Sequence, residues 1–459
     1  MKHHRRLVVL SSLALASGAL FFACSDSGGG FDAGPDSGGG DAKADTTLKD
    51  SSSSDGPSFG DGNTTDGNAT DGNATDGNAT DGSDEAAADA ASDAIDETAA
   101  DADDGSSDGA IADAGSVSTF MVVRAGGALD AGSDASLTNA AQPVFLEERN
   151  ISDGALVRTI AMPTTVSGSN QPLTLSGTAT SEGALMTSAD GKYVVLAGFA
   201  TGPGLASVAS TSSVDGGTLR VIARVDHAGN VDTSTELAAF SGSDIRGAAT
   251  SDGTAFWASG NASQNDSGLG GVQYAVLGST GATTNITNAP YNTRVVGVFG
   301  GQLYVSSQLT PFNGISAVGT NLPTTTGQTA ALLAGFAGNA GGPCGFSILD
   351  LDGSVAGLDV LYVADESSQA NGGGIQKWVF DGSTWSKIAT FTNGTSTGFR
   401  GVMAVPDGAN VIVLGTTSGT SANLVLKYVD DGVNTAPTGA VLATAPGGTI
   451  FRGIALAPQ

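Results

Sequence analysis

The sequence predicts an all-β protein: a single β-propeller that follows a disordered, acidic N-terminal linker. Short runs rich in Val, Ile, Thr, Phe and Tyr alternate with Asp-Gly, Gly-Gly and Asn-Gly turns, a pattern typical of hairpins. One strand-turn-strand motif recurs about every 50 residues through the C-terminal three-quarters of the chain. In contrast, residues 25–116 hold half of the 46 acidic residues and almost no bulky apolar ones.

Residues 1–23 have the pattern of an export signal. A basic start (Lys2, Arg5, Arg6) precedes an apolar run that is short for a membrane span and ends just before Cys24. This arrangement resembles a bacterial lipoprotein signal, and the resemblance implies that the thiol of Cys24 is acylated and anchors the protein in a membrane. Because Ser25 follows the Cys, the resemblance favours the outer membrane of a bacterial cell envelope, with the folded domain outside the cytoplasm. The alternative is ordinary secretion with an incidental Cys.

Residues 24–116 are predicted to be a disordered tether. They contain a pentapeptide repeat, Asp-Gly-Asn-Thr-Thr at Asp61 and then Asp-Gly-Asn-Ala-Thr at Asp66, Asp71 and Asp76. Such a composition buries too little apolar surface to offset the entropy of ordering. About 90 flexible residues reach roughly 50 Å. No resident cofactor is expected, although Ca²⁺ is an alternative because Asp-x-Asn spacings supply oxygen ligands.

Residues 117–459 are predicted to form the propeller. The spacing of the recurring motif fits a four-stranded blade, and abundant Gly and Ala would let inner strands converge on a channel. The copies begin at Gly183, Arg246, Val295, Gly345, Phe399 and Phe451.

The last copy supplies only one strand, residues 450–458, whereas three strands are predicted within residues 118–162 before the first copy. One C-terminal strand and three N-terminal strands would complete a shared blade and leave no free sheet edge. This count favours six blades. Seven blades remain an alternative because residues 163–182 and 319–343 could hold further strands, and a pair of β-sandwich domains is a second alternative.

One segment resembles the NHL repeat. Val360–Glu366 reads as an apolar strand ending in Tyr-Val-Ala-Asp, and Gly373–Gly382 then carries Ile-Gln, an aromatic residue and Asp-Gly. The turn at Ser367–Asn371 is longer than is usual in that family. The resemblance implies a propeller, often six-bladed, that serves mostly as a binding platform. The whole chain also resembles a domain of uncharacterised function found in many secreted bacterial proteins.

Three arginines are candidate ligand-binding residues. Arg246, Arg400 and Arg452 occupy the same position in three copies of the motif, which allows two interpretations. Their guanidinium groups could line the channel and bind an anion. Alternatively, they could hold neighbouring blades together by donating to carbonyl or carboxylate oxygens.

Catalytic residues are not expected. After removal of the signal the only His is His227, in a predicted turn, and Cys344 lacks a basic neighbour that would activate it. Asp350, Asp352 and Asp359 are candidates for divalent-metal ligands, since they follow one another around a single loop. Solvated turn acids are the alternative.

The net charge of −28 and pI of about 4.1 disfavour nucleic-acid binding. We therefore expect a lipid-anchored, non-enzymatic binding platform for a protein or glycan ligand. The alternative is a hydrolase or lactonase that uses a divalent ion in the central channel. Three or more carboxylates or amides converging at the channel rim would favour the enzyme, whereas an apolar or arginine-lined channel would favour binding.

Overall fold

The computed structural model describes residues 118–129, 135–262, 268–338, 341–394 and 396–459. The predicted signal peptide and tether, with the proposed lipidation site Cys24, lie outside the described residues. Among the described residues no helix combines the length and apolarity that crossing a membrane requires. Helical structure there consists of two 3-10 turns, Val208–Ser210 and Gln369–Asn371.

The rest of the regular structure is β-strand. In chain order the strands of the described residues are β1 (Thr119–Ala125), β2 (Ala141–Asn150), β3 (Leu156–Ala161), β4 (Thr174–Ser176), β5 (Leu185–Thr187), β6 (Tyr193–Phe199), β7 (Arg220–Asp226), β8 (Val231–Leu237), β9 (Ile245–Ala249), β10 (Ala255–Gly260), β11 (Gly271–Val276), β12 (Thr280–Gly281), β13 (Thr284–Thr287), β14 (Val296–Phe299), β15 (Gln302–Ser307), β16 (Gly314–Val318), β17 (Ala330–Leu332), β18 (Pro343–Leu349), β19 (Val360–Asp365), β20 (Gly374–Phe380), β21 (Trp385–Phe391), β22 (Phe399–Asp407), β23 (Asn410–Thr417), β24 (Leu424–Asp430), β25 (Ala440–Thr444) and β26 (Ile450–Leu456).

All the described strands except β4 and the two-residue β12, which pairs in parallel with β8, form six antiparallel blades. Named from the innermost strand outward, the first blade is β5-β6-β7-β8, the second β9-β10-β11-β13 and the third β14-β15-β16-β17. The fourth is β18-β19-β20-β21, the fifth β22-β23-β24-β25 and the sixth β26-β1-β2-β3. Each innermost strand contacts the innermost strands of the two neighbouring blades, so that the blades close into a ring. The predicted fold class, an all-β propeller, is confirmed, and two separate sandwiches are not formed.

The sixth blade joins distant parts of the chain. β26 pairs antiparallel with β1, placing Phe120 opposite Leu456 and Val122 opposite Ile454. At the seam with the first blade, Thr187 Oγ1 donates a hydrogen bond of 2.8 Å to the Leu456 carbonyl. The ring therefore has no unpaired edge at its junction, the arrangement by which closed β-structures avoid edge-to-edge association.

The two segments that could have held a seventh blade are used differently. β4, within residues 163–182, pairs with both β2 and β6 and so links the sixth and first blades into one ten-stranded sheet. β17, within residues 319–343, is the outermost strand of the third blade. Across the described residues the blade number is therefore six.

The hydrophobic core lies between the faces of adjacent blades. Along β23, Val411 and Val413 pack toward the fourth blade, in a cluster that contains Tyr362 of β19. The alternate residues Ile412 and Leu414 pack toward the sixth blade. Because successive side chains of a strand point to opposite faces, each middle strand contributes to two cores, which is why these strands are apolar throughout.

Candidate functional site

The candidate site is a pocket at the end of the ring where the innermost strands begin, here called the mouth pocket. Its space, about 480 Å³, includes open solvent. Its wall is apolar, formed by Leu185, Met186, Val295, Phe346, Val402 and Ile454. Its polar lining consists of Thr180, Ser181, Glu182, Arg294, Cys344, Arg400 and Arg452.

The repeated Arg-Gly pair has a packing explanation. A Cβ atom on Gly453 would lie 2.2 Å from the backbone nitrogen of Leu185 in the next blade. A Cβ atom on Gly401 would lie 2.5 Å from Thr416 Oγ1 and 3.0 Å from the Arg452 carbonyl oxygen. At Gly453 only glycine allows the innermost strands of the sixth and first blades to approach this closely.

Arg452 fastens the sixth blade to the segment that enters the first. Its side chain is buried, and its guanidinium donates to the carbonyl oxygens of Ser176 (2.6 Å), Ala179 and Glu182. Burial lowers the pKa of Arg452 to about 10, which still leaves the group charged at neutral pH. Both terminal nitrogens of Arg452 are therefore used to hold neighbouring blades together, the second of the two roles considered for these arginines.

Arg246 is held in a similar way. It is fully buried and donates to Ser181 Oγ at 3.1 Å, to the Asn292 amide oxygen and to the Thr293 carbonyl at 2.8 Å. Its Nη2 lies 3.8 Å from the Asp244 carboxylate. Arg246 is not part of the mouth pocket lining, so of the three predicted binding residues it is the one that the structure separates from the pocket.

Arg400 differs from the other two. Its Nε donates to Glu366 Oε2 at 2.8 Å and its Nη1 to the Ser418 carbonyl at 2.6 Å. Its side chain is 19% exposed, and no partner within the described chain accounts for Nη2. Arg400 therefore lines the mouth pocket with one terminal nitrogen, Nη2, that these bonds leave available.

A fourth arginine, Arg294, also lines the pocket and was missed by the sequence prediction. When the third copy of the motif begins at Arg294 and not at Val295, this arginine falls at the repeat position of Arg246. Arg294 Nη2 donates to Gln308 Oε1 at 3.0 Å, and Gln308 Nε2 donates to Glu366 Oε1 at 2.7 Å. Because Glu366 also accepts from Arg400, the two arginines are connected through one chain of hydrogen bonds.

Glu182 is a buried acid in the polar lining of the mouth pocket. It is not among the site residues predicted from the sequence. Its Oε2 accepts a 2.7 Å hydrogen bond from the Ser176 backbone nitrogen, whereas its buried Oε1 has no hydrogen-bond partner within the described chain. Burial, together with the nearby Asp244 carboxyl, raises the pKa of Glu182 well above its ordinary value, although Arg452 opposes this effect. Glu182 is therefore expected to hold its proton closer to neutrality than an exposed glutamate.

The three predicted metal-ligand candidates do not form an ion-binding cluster. Asp359 is buried and accepts hydrogen bonds from the backbone nitrogens of Leu351 and Asp352, the latter at 2.6 Å. Asp352 is exposed and bonds Ser354, and Asp350 is also exposed. Over the ranges that the structure describes, no three His, Cys, Asp or Glu side chains come together where they could hold a metal ion.

The two remaining reactive residues occupy separate environments. His227 lies in the turn between β7 and β8, with Nδ1 2.8 Å from the Pro458 carbonyl oxygen. Cys344 is buried in the pocket wall, and Gln308 Nε2 lies 3.6 Å from its sulfur. A backbone carbonyl and a side-chain amide are not groups that activate a nucleophile.

No protein-family model matches this sequence, and comparison with curated proteins gives no match. Among solved structures, a chain of a nidogen/laminin complex is 13% identical, covering 74% of this chain and 99% of that one with a TM-score of 0.40. A candidate 6-phosphogluconolactonase from Bacteroides uniformis is 16% identical over 71% of this chain and 83% of its own, with a TM-score of 0.37. A quinoprotein alcohol dehydrogenase-like protein from Bacteroides thetaiotaomicron is 9% identical over 74% and 92%, with a TM-score of 0.28. The propeller assignment itself follows from the strand pairing described above.

Proposed function

We propose that this chain is a lipid-anchored protein of a bacterial envelope whose propeller binds an anionic ligand at the mouth pocket without transforming it. The observation that carries the proposal is the combination of three arginines, Arg294, Arg400 and Arg452, with an apolar wall in one pocket. Arginine offers a rigid fork of N–H donors that matches carboxylate and phosphate oxygens. In a partly dehydrated pocket such a charge acts more strongly than on an open surface.

The arginines of the mouth pocket lie in a chain that is strongly acidic as a whole. The formal net charge is −28, so the long-range field repels anions and only a local cluster of arginines can attract one. Each pocket arginine is either buried or held by hydrogen bonds, which fixes its geometry before a ligand arrives. Such preorganisation reduces the entropic cost of binding.

Binding is tested by calorimetry and thermal melting of the purified full chain in detergent. The panel comprises anionic small molecules, neutral glycans and Ca²⁺, each with a detergent blank. Of this panel, only the anionic molecules are expected to bind. Their affinity is expected to fall as the salt concentration rises from 0.05 to 0.5 M, because salt screens the charge of an exposed guanidinium. Stoichiometric Ca²⁺ binding with no response to any anion would overturn the proposal and support the ion-dependent hydrolase instead.

The anchor is tested separately in a bacterial host. Cys24→Ser is expected to abolish incorporation of a palmitate analogue and to move the protein from the membrane fraction to the soluble fraction. Cys344→Ser is the matched control, since it removes the only other cysteine of the sequence and leaves the proposed acylation site intact. Equal labelling of Cys24→Ser and the parent protein would refute lipidation at this residue.

A further inference from the structure

The polar groups of the mouth pocket indicate how much negative charge a ligand brings. Glu366 neutralises part of the arginine pair by accepting from Arg400 directly and from Arg294 through Gln308. The side of Arg400 that remains is a single Nη2 group. One open N–H edge matches one anionic group better than a polyanion, whose further charges would meet Glu366 and the acidic field of the chain.

Two buried atoms of the pocket lining point to a ligand that carries oxygen. Arg452 Nε and Glu182 Oε1 are both buried without a hydrogen-bond partner within the described chain. Buried polar groups are usually paired, and an unpaired one costs free energy. A ligand oxygen could accept a hydrogen bond from Arg452 Nε. Glu182 Oε1 could accept from a ligand donor or, when protonated, donate to a second ligand oxygen.

The wall of the pocket defines the other half of the ligand. Leu185, Met186, Phe346, Val402 and Ile454 present only apolar side chains. The space of about 480 Å³ between these side chains includes open solvent, so the apolar body of a small ligand can enter it from the rim. Polar groups of a ligand placed against this apolar wall would find no hydrogen-bond partners, so the part of the ligand that lies there is expected to be apolar.

From these observations we infer that the ligand of the mouth pocket is a small monocarboxylic acid with an apolar body, its carboxylate on Arg400 and its body against the apolar wall. This inference rests on the proposed binding function and specifies its ligand class. A carboxylate oxygen can accept from Arg400 Nη2, and a hydrogen bond between two charged groups is stronger than one between neutral groups. A free anionic end of a larger molecule would fit only if the rest remains outside the ring.

The test measures affinities of the full chain in detergent for soluble probe acids. Phenylacetate is compared with phenylacetamide, its neutral counterpart, and acetate is extended one methylene at a time to hexanoate. Phenylacetate is expected to bind at least roughly tenfold more tightly than the amide, since the amide loses the charge. Each added methylene should tighten binding by roughly fourfold until the wall is covered.

Matched arginine variants locate the site. Arg400→Ala is expected to weaken phenylacetate binding roughly tenfold or more. Arg400→Lys keeps the charge near Glu366 but loses the Nη2 group, and is expected to weaken binding as well. Arg224→Ala is the control, because Arg224 is also 19% exposed, bonded to one carboxylate (Asp232, 3.0 Å) and to one carbonyl (Gly253, 2.9 Å), but lies on β7 away from the pocket lining. Its binding is expected to equal that of the parent.

The outcomes separate this inference from the proposed function. Equal affinity for phenylacetate and phenylacetamide, or carboxylate binding that survives both Arg400 variants, overturns the inference. Binding of inorganic phosphate or polygalacturonate with none of the monocarboxylates leaves an anion-binding platform but refutes the ligand class. If no anion binds, both proposals fail together.

Discussion

Replacing Gly453 by alanine would test the tight seam between the sixth and first blades. A methyl group at this position would lie 2.2 Å from Leu185 N, 2.5 Å from the Gly183 carbonyl oxygen and 2.7 Å from the Ala184 carbonyl carbon. All three are backbone atoms, which cannot rotate away as a side chain can. The strands β26 and β5 would therefore have to separate.

The magnitude follows from packing energetics and from an internal comparison. Overpacking typically costs about 1–3 kcal/mol, and the loss of glycine's freedom in the unfolded chain returns about 0.4–1 kcal/mol. We expect Gly453→Ala to lower the free energy of unfolding by about 2 kcal/mol. Gly247 occupies the same repeat position, but its Cβ would meet only Ala184 Cβ at 3.1 Å and Ser259 Oγ at 3.5 Å. Gly247→Ala should therefore change stability by less than about 1 kcal/mol.

The assay is urea unfolding followed by tryptophan fluorescence, since Trp257, Trp378 and Trp385 lie in the second and fourth blades, away from the seam. Hydrogen exchange of β26 and β5 should accelerate in Gly453→Ala more than exchange of β18. Equal destabilisation by the two glycine variants, or an unchanged midpoint for Gly453→Ala, would refute the argument that backbone approach limits this seam.

Three further predictions concern buried acids. Because burial raises the pKa of Glu182 above 4.5, the unfolded chain loses a proton at a pH where the folded chain still keeps it. The free energy of unfolding should therefore fall as pH rises above 4.5. Glu182→Gln should make this fall smaller in urea midpoints measured from about pH 4 to 8. Asp359→Asn should cost about 1–2 kcal/mol by weakening the loop bonds to Leu351, with Ca²⁺ affinity unchanged in calorimetry, whereas a loss of Ca²⁺ binding would restore the metal prediction. Tyr362→Phe removes a buried hydrogen bond of 2.5 Å to the Asp430 carboxylate and should cost about 1.5–3 kcal/mol in denaturant melts, and a neutral result would show that the hydroxyl adds nothing there.

The fold could be predicted because each blade repeats the same local chemistry. Strand pairs separated by Asp-Gly or Gly-Gly turns recur at blade spacing, and the excess strand at the C-terminal end matches the three strands near residue 118. Periodicity of this kind is visible without tertiary information. The role of the short strand β4 as a link between two blades could not be predicted, because a three-residue strand that occurs once produces no repeated pattern in the sequence.

The candidate site could be predicted only in part. Recurrence identified Arg246, Arg400 and Arg452 as equivalent, but equivalence in the repeat does not fix the neighbours that each meets. Arg246 and Arg452 are buried against loop carbonyls, and Arg400 has a glutamate beside it and one open side. Glu182 escaped prediction because its raised pKa arises from burial beside a residue of another blade, which a single sequence does not reveal.

The pairing of β26 with β1 also constrains the order in which the ring assembles. The Thr187–Leu456 bond joins residues 269 positions apart, so the strand that completes the ring emerges during synthesis after the other five blades. Until then the edge of β1 that pairs with β26 has no partner, although its other edge pairs with β2, and formation of contacts this distant is intrinsically slow. A nascent chain that still lacks β26 exposes this edge of β1, and an exposed strand edge is prone to pair with another copy.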